Sequence, residues 1–125
     1  MEVIHTALWT DDLDETIEFY VDVLGLERTW GFTADDGVEN VYVGTEDGAE
    51  LQFKYDPDGE STPDPAGIDH LALGVDDTDA VFERVVEETG CEVEVEPTTM
   101  EDIDVRVAFI RDPAGYVVEL VEHLE

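Results

Sequence analysis

Asp112-Pro113-Ala114-Gly115-Tyr116-Val117-Val118-Glu119-Leu120 sets a turn directly ahead of a β-forming run in which one carboxylate, Glu119, interrupts apolar residues. An ionised side chain on a buried strand is costly unless something neutralises it. A bound metal would do so, and two histidines, His5 and His70, stand on comparable strands earlier in the chain. The plain alternative is a Glu119 that faces solvent at a sheet edge.

Outward from that stretch, 125 residues suffice for one compact domain or for two small modules sharing a core. Apolar residues make up 42%, enough to bury a core, and no run approaches the ~20 apolar residues that span a bilayer. Met1-Glu2 leads straight into Val3-Ile4-His5 without the pattern of a secretory leader, so a cytoplasmic location is expected. Thirty-five acidic residues against five basic ones give a net charge of −30, which strains a compact fold by self-repulsion. At molar salt the Debye length falls to ~3 Å and screens that repulsion, so the composition predicts a halophilic, salt-loaded setting. Most of these carboxylates are expected to be solvated surface. Nucleic-acid binding is disfavoured because no basic patch can displace counterions. Cys91 is the lone cysteine, so no intrachain disulfide forms, and its place before a β-like run suits a small packed side chain.

Residues 3–9 read as a strand, after which Thr10 or Asp11 caps a helix with Leu13, Ile17, Tyr20, Val21 and Leu24 at helical spacing, closed by Gly25. Strands are predicted near 26–33, 38–44 and 49–55, parted by Asp-Asp-Gly and Glu-Asp-Gly turns. Residues 57–67 have linker chemistry. The pattern then repeats: a strand at 68–75, a helix over 77–89 closed by Gly90, and strands near 92–96, 104–110 and 116–122. A shift of 65 residues carries His5 onto His70, Leu8 onto Leu73 and Gly25 onto Gly90, the mark of an internal duplication. The expected fold is α+β: two βαβββ modules, residues 1–56 and 68–125 joined by 57–67, with mixed curved sheets and helices on the outer face.

Period-two alternation turns Leu8, Leu71 and Leu73 toward the helices and His5 and His70 the other way. Leu51, Phe53, Val118 and Leu120 form the apolar face of the fourth strands, with Gln52 and Glu119 opposite. Two imidazoles, a carboxylate and an amide oxygen make a mixed nitrogen and oxygen set that suits divalent nickel, cobalt, zinc, manganese or iron. Glu50 shares the face of Gln52 and competes with it as the second donor.

His5-Thr6-Ala7-Leu8, Ile17-Glu18-Phe19-Tyr20, Val23-Leu24-Gly25-Leu26 and the segment from Phe109 to Leu120 closely resemble glyoxalase I, lactoylglutathione lyase, of the vicinal oxygen chelate superfamily. The resemblance covers essentially the whole chain and is weakest between 28 and 48. It implies that His5, Gln52, His70 and Glu119 are the metal ligands, Gln52 being favoured over Glu50 by the family's ungapped spacing. It also implies a homodimer, active sites built between subunits, and conversion of a methylglyoxal–thiol hemithioacetal into a lactoyl thioester with Glu119 as base. The chain departs from the family where glutathione is bound: Trp9, Asp56 and Ala66 stand where members carry arginine, asparagine and, in some, arginine. Trp9 is thus a candidate for lining the substrate pocket, with core packing as its alternative, and the resemblance is firmer on the reaction than on the thiol. Alternatives are a methylmalonyl-CoA epimerase-like or other enzyme of the superfamily, and a metal-free small-molecule binding protein.

Overall fold

The computed structural model describes residue 1, residues 3–59 and residues 62–124. Glu60 and Ser61 of the expected linker, and Glu2 of the N-terminal segment, lie outside the described residues. The chain forms two compact units, Met1–Asp64 and Pro65–Glu125.

In the first unit, β1 (His5–Trp9) leads into α1 (Leu13–Ile17) and a π-helical stretch (Glu18–Val23), then β2 (Glu27–Thr33), β3 (Glu39–Gly44) and β4 (Glu50–Tyr55). The second unit repeats this order with β5 (Leu71–Gly74), α2 (Thr78–Thr89), β6 (Val93–Met100), β7 (Val105–Arg111) and β8 (Val117–His123). The sheets run β1-β4-β3-β2 and β5-β8-β7-β6. In each, the first and last strands pair in parallel and the rest antiparallel, which makes both sheets mixed.

Local chemistry accounts for the ends of the elements. Asp77 caps α2 by accepting from the Ala80 N–H at 3.1 Å, and Gly90 closes it at φ 66°, a backbone state that costs glycine little. The cap of α1 is Asp12, which accepts from the Glu15 N–H at 3.0 Å, where the sequence pointed to Thr10 or Asp11. Thr10 is fully buried and its hydroxyl bonds that of Thr16 at 2.8 Å, so it serves packing instead. The uninterrupted helical spacing expected after Ile17 widens to a π turn, in which the Leu24 N–H reaches back to the Phe19 carbonyl at 2.9 Å. Phe19 and Tyr20 are both buried there, and Tyr20 meets Phe53 at a ring separation of 4.9 Å. β6 continues past its expected end at 96, through Pro97, because its pairing with β7 shifts register between Val95 and Thr98 and asks no N–H of the proline.

Leu8, Tyr20, Val43 and Phe53 form the first core, and Val85, Ala108, Ile110, Val118 and Leu120 the second. Burying each larger side chain contributes about 1.5–3 kcal/mol before conformational entropy is set against it. These residues mark the helix-covered face of each sheet; α2, for example, packs on β7 and β8. The turn before β8 is built by Asp112, buried, which accepts from the Ala114 N–H at 2.9 Å and the Tyr116 N–H at 2.8 Å, while Gly115 takes φ 94°. β8 lies between β5 and β7, so Glu119 is not on an edge strand.

Candidate metal centre

His70 precedes β5 and Glu119 lies in β8, in the same unit. His70 Nε2 is 3.1 Å from Glu119 Oε1, and His70 Nδ1 is 2.6 Å from Asp69 Oδ1. Asp69 stands where it can accept an Nδ1–H, and in that tautomer the Nε2 lone pair is free for an ion beside Glu119. Phe109, paired with Glu119 across β7 and β8, meets the imidazole edge-on at 5.5 Å and fixes its plane. The side chains of His70 and Glu119 remain 33% and 15% accessible, so the pair is sheltered and still reachable from solvent. Two ligands held at about 2.1 Å from one ion and at right angles lie about 3.0 Å apart, so the observed separation fits neighbouring donors to one metal.

The first unit presents a matching pair. Ala7 is level with Gln52 in the β1–β4 register, as Ala72 is level with Glu119 in β5–β8. Gln52 therefore stands to His5 as Glu119 stands to His70, each one pairing step along on the face away from the helix. Glu50 is directly level with His5 and its counterpart is Val117, which cannot ligate. The Glu50 carboxylate is also engaged by the Thr29 hydroxyl, and it borders a hollow at the β3–β4 turn together with Glu46 and Asp47. His5 is exposed and meets Tyr42 edge-on at 5.4 Å. Gln52 is buried, and its Nε2 donates to Asn40 Oδ1 at 2.9 Å.

Trp9 is level with Lys54 on this same face, 38% exposed, with the ammonium 5.4 Å from its ring. Trp9 is not among the buried core residues of this unit. Trp30 stacks on Tyr42 at 4.4 Å and on Phe32 at 5.4 Å, so the face continues through the buried Tyr42 of β3 to the half-exposed rings of β2. Sequence reasoning passed over Asp69, Asn40, Lys54 and this aromatic row. Asp69 could have been found from its place beside His70, and Trp30 and Phe32 from their alternation, but nothing in the sequence marks Asn40.

Asp77, Asp79 and Glu122 bring carboxylate oxygens within 4.8 Å of one another. Their oxygens already serve the start of α2: Asp77 caps it, Glu122 accepts from the Thr78 N–H at 2.9 Å, and Arg106 bonds Asp79 at 2.5 and 2.9 Å. The Arg106 hydrogen bonds hold Asp79 below its ordinary carboxylate range, and Asp79 in turn raises Arg106. Among the described residues no helix is long and apolar enough to cross a membrane.

The model of the Glyoxalase/Bleomycin resistance protein/Dioxygenase superfamily matches residues 2–120. A lactoylglutathione lyase of Haemophilus influenzae is 33% identical over 130 residues, covering 98% of this chain and 93% of its own. Glyoxalase I from Zea mays superposes with a TM-score of 0.85 at 23% identity, over 99% of this chain and 45% of that one. TnmS3, an antibiotic binding protein from Streptomyces sp. CB03234, shares the fold with a TM-score of 0.74 at 24% identity, over 98% of this chain and 96% of that one. The match across both βαβββ units, joined to near-full-length identity with a lyase, makes this chain a member of the Glyoxalase/Bleomycin resistance protein/Dioxygenase superfamily.

Proposed function

We propose that the protein isomerises the hemithioacetal of methylglyoxal and a small thiol to a lactoyl thioester, with His5, Gln52, His70 and Glu119 holding one divalent metal. The observation that carries this reading is the Asp69–His70–Glu119 arrangement, in which an imidazole oriented through Nδ1 offers Nε2 beside a carboxylate oxygen. The repeated register of His5 and Gln52 supports the other two donors. The residues fit such an ion: two nitrogen and two oxygen donors, one of them charged, suit nickel, cobalt, zinc, manganese or iron. When bound, the metal would supply Lewis-acid polarisation of the substrate's adjacent oxygens.

Glu119 is the base. Its carboxylate takes the C1 proton of the hemithioacetal, leaving an enediolate across C1 and C2, and returns a proton to C2. The hydroxyl proton passes from the C1 oxygen to the C2 oxygen, so the rearrangement balances without an external oxidant or reductant. Gln52 is an amide and cannot take up a proton at neutral pH, which leaves a single carboxylate in the ligand set to do this work. The −30 charge supports a halophilic, cytoplasmic protein without nucleic-acid partners, and the family resemblance supports a homodimer.

The test is a screen of methylglyoxal with several low-molecular-weight thiols at molar salt, using metal-reconstituted protein and following thioester formation. Formation of a lactoyl thioester that stops on chelation is the expected result; none with any thiol overturns the reading. The half-exposed Trp30 and Phe32 rings, stacked around the buried Tyr42, favour one second reading, a metal-free module that binds flat aromatic molecules. Retained binding of such a molecule by metal-stripped protein, without turnover, would select it.

A further inference from the structure

The hydrogen bonds behind Gln52 decide which end of its amide faces outward. Lys54 is the single lysine in the sequence, and its Nζ lies 2.9 Å from Asn40 Oδ1. An ammonium can only donate, so the Asn40 atom it approaches must be the oxygen. Asn40 Nδ2 then faces the Val38 carbonyl, to which it donates at 3.1 Å. With Asn40 so oriented, the Gln52 atom at 2.9 Å from Asn40 Oδ1 must be the donor, Nε2. The Gln52 oxygen is thereby turned away from Asn40, leaving it to other partners.

We infer that Asn40 is a positioning residue that presents the oxygen of Gln52, rather than its NH2, to an incoming metal ion, and that Lys54 fixes Asn40 in the orientation this requires. The inference rests on the reading of Gln52 as a ligand and adds to it a buried switch of amide direction. Asn40 is 1% exposed and level with Lys54 across β3 and β4, so it has no room to act as a surface group. If Asn40 turned over, its oxygen would meet the Val38 carbonyl and its NH2 would meet both the lysine and the glutamine NH2. Every contact would then pair like with like. In a chain of net charge −30, Lys54 makes no ion pair among the described residues; its ammonium is given to an amide oxygen and to the face of Trp9.

The test uses the full chain at molar potassium chloride, with nickel(II) alone as the probe. Calorimetric titration gives the affinity, and side-chain amide proton exchange in the 15N-labelled apoprotein reports the Gln52–Asn40 bond. Asn40→Leu should weaken nickel binding by about 10–100-fold and abolish the exchange protection of the Gln52 NH2, as loss of a partner that orients a ligand does. Asn40→Asp keeps acceptor oxygen for both Gln52 and Lys54 but sets its second oxygen against the Val38 carbonyl, so it should retain the Gln52 exchange protection and bind nickel more tightly than Asn40→Leu. Should Asn40→Leu fail to fold, Lys54→Met, at a half-buried site, carries the same test and should lower both affinity and protection. A folded Asn40→Leu or Lys54→Met protein with wild-type affinity and wild-type exchange overturns the inference. Gln52→Ala separates the two levels. If it binds nickel as wild type does, the ligand reading falls and this inference with it; if it binds weakly while Asn40→Leu does not, only the positioning role falls.

Discussion

Glu119→Gln should abolish turnover while leaving the fold and much of the metal binding intact. The exchange keeps the shape of a side chain that is 15% accessible and whose Oε1 lies 3.1 Å from His70 Nε2. A glutamine there can donate to Nε2 in the apoprotein, or offer its oxygen to a metal, so neither the pair nor the strand is left with an unmet polar atom. What it cannot do is take the C1 proton at neutral pH. Loss of a positioned base costs about 10²–10⁴-fold, or about 2.7–5.4 kcal/mol of barrier at 1.36 kcal/mol per decade. The upper end applies because, in the proposed reaction, the same carboxylate both takes the proton and returns it. The assay pairs initial rates on a methylglyoxal hemithioacetal at molar salt with metal content by elemental analysis and a melting curve. Near-normal turnover in a metal-loaded Glu119→Gln protein would refute the assignment and turn attention to Glu50.

Three further outcomes are expected. Raising salt from about 0.1 to about 1 M shortens the Debye length from ~10 to ~3 Å, so the melting temperature should climb steeply; a flat profile would detach the −30 charge from stability. If each site takes donors from two subunits, mixing His5→Ala with Glu119→Gln protein should restore up to about a quarter of wild-type activity after exchange, since half the dimers are then mixed and each has one intact site. Confirmed exchange without recovery would place the His5 and Glu119 of each site in one chain. Gln52→Glu should remain active with a shifted pH optimum but lose about 1–3 kcal/mol of apoprotein stability in denaturant, because a carboxylate would face Asn40 Oδ1; an unchanged midpoint would show that Asn40 can turn over.

The duplicated order of elements was legible because its signals are local. Turn residues, helix caps and two-residue alternation act over a few positions, and a shift of 65 residues aligned them without any knowledge of packing. Asp77 and Gly90 bound α2 as their chemistry requires. The first helix was less legible: Thr10, Asp11 and Asp12 are all competent caps, and while Thr10 is buried against Thr16, it is Asp12 that accepts from the Glu15 N–H. The π turn at Glu18–Val23, in which Phe19 and Tyr20 are both buried, is not encoded by spacing alone. At the centre, alternation brought His5, Gln52, His70 and Glu119 to the faces away from the helices. It could not separate Gln52 from Glu50, since residues two apart share a face. In register, Gln52 occupies the position equivalent to Glu119 and Glu50 that equivalent to Val117, which supports Gln52 in the proposed ligand set.

Comparing the two units exposes a division of labour that identity of fold conceals. Each sets a histidine and an oxygen donor at the same register, yet the supporting groups are opposite in character. Behind His70 stands the carboxylate of Asp69, and beside it that of Glu119, so the second unit carries negative charge able to attract a cation and to move a proton. In the first unit the oxygen donor is a neutral amide anchored to Asn40, the nearby charge is the ammonium of Lys54, and the rest of the face is Trp9, Trp30, Phe32 and Tyr42. Such a face can fix the direction of a donor and shelter an apolar or aromatic body, and the groups named on it that can take a proton are His5, itself a proposed ligand, and the Glu50 carboxylate engaged by Thr29. In the proposed reaction, the second of these two equivalent frames does the proton chemistry and the first orients its donor. Exchanging the donors, with Gln52→Glu and Glu119→Gln in one chain, should therefore not restore activity: the carboxylate would sit against Asn40 rather than beside His70 and Asp69.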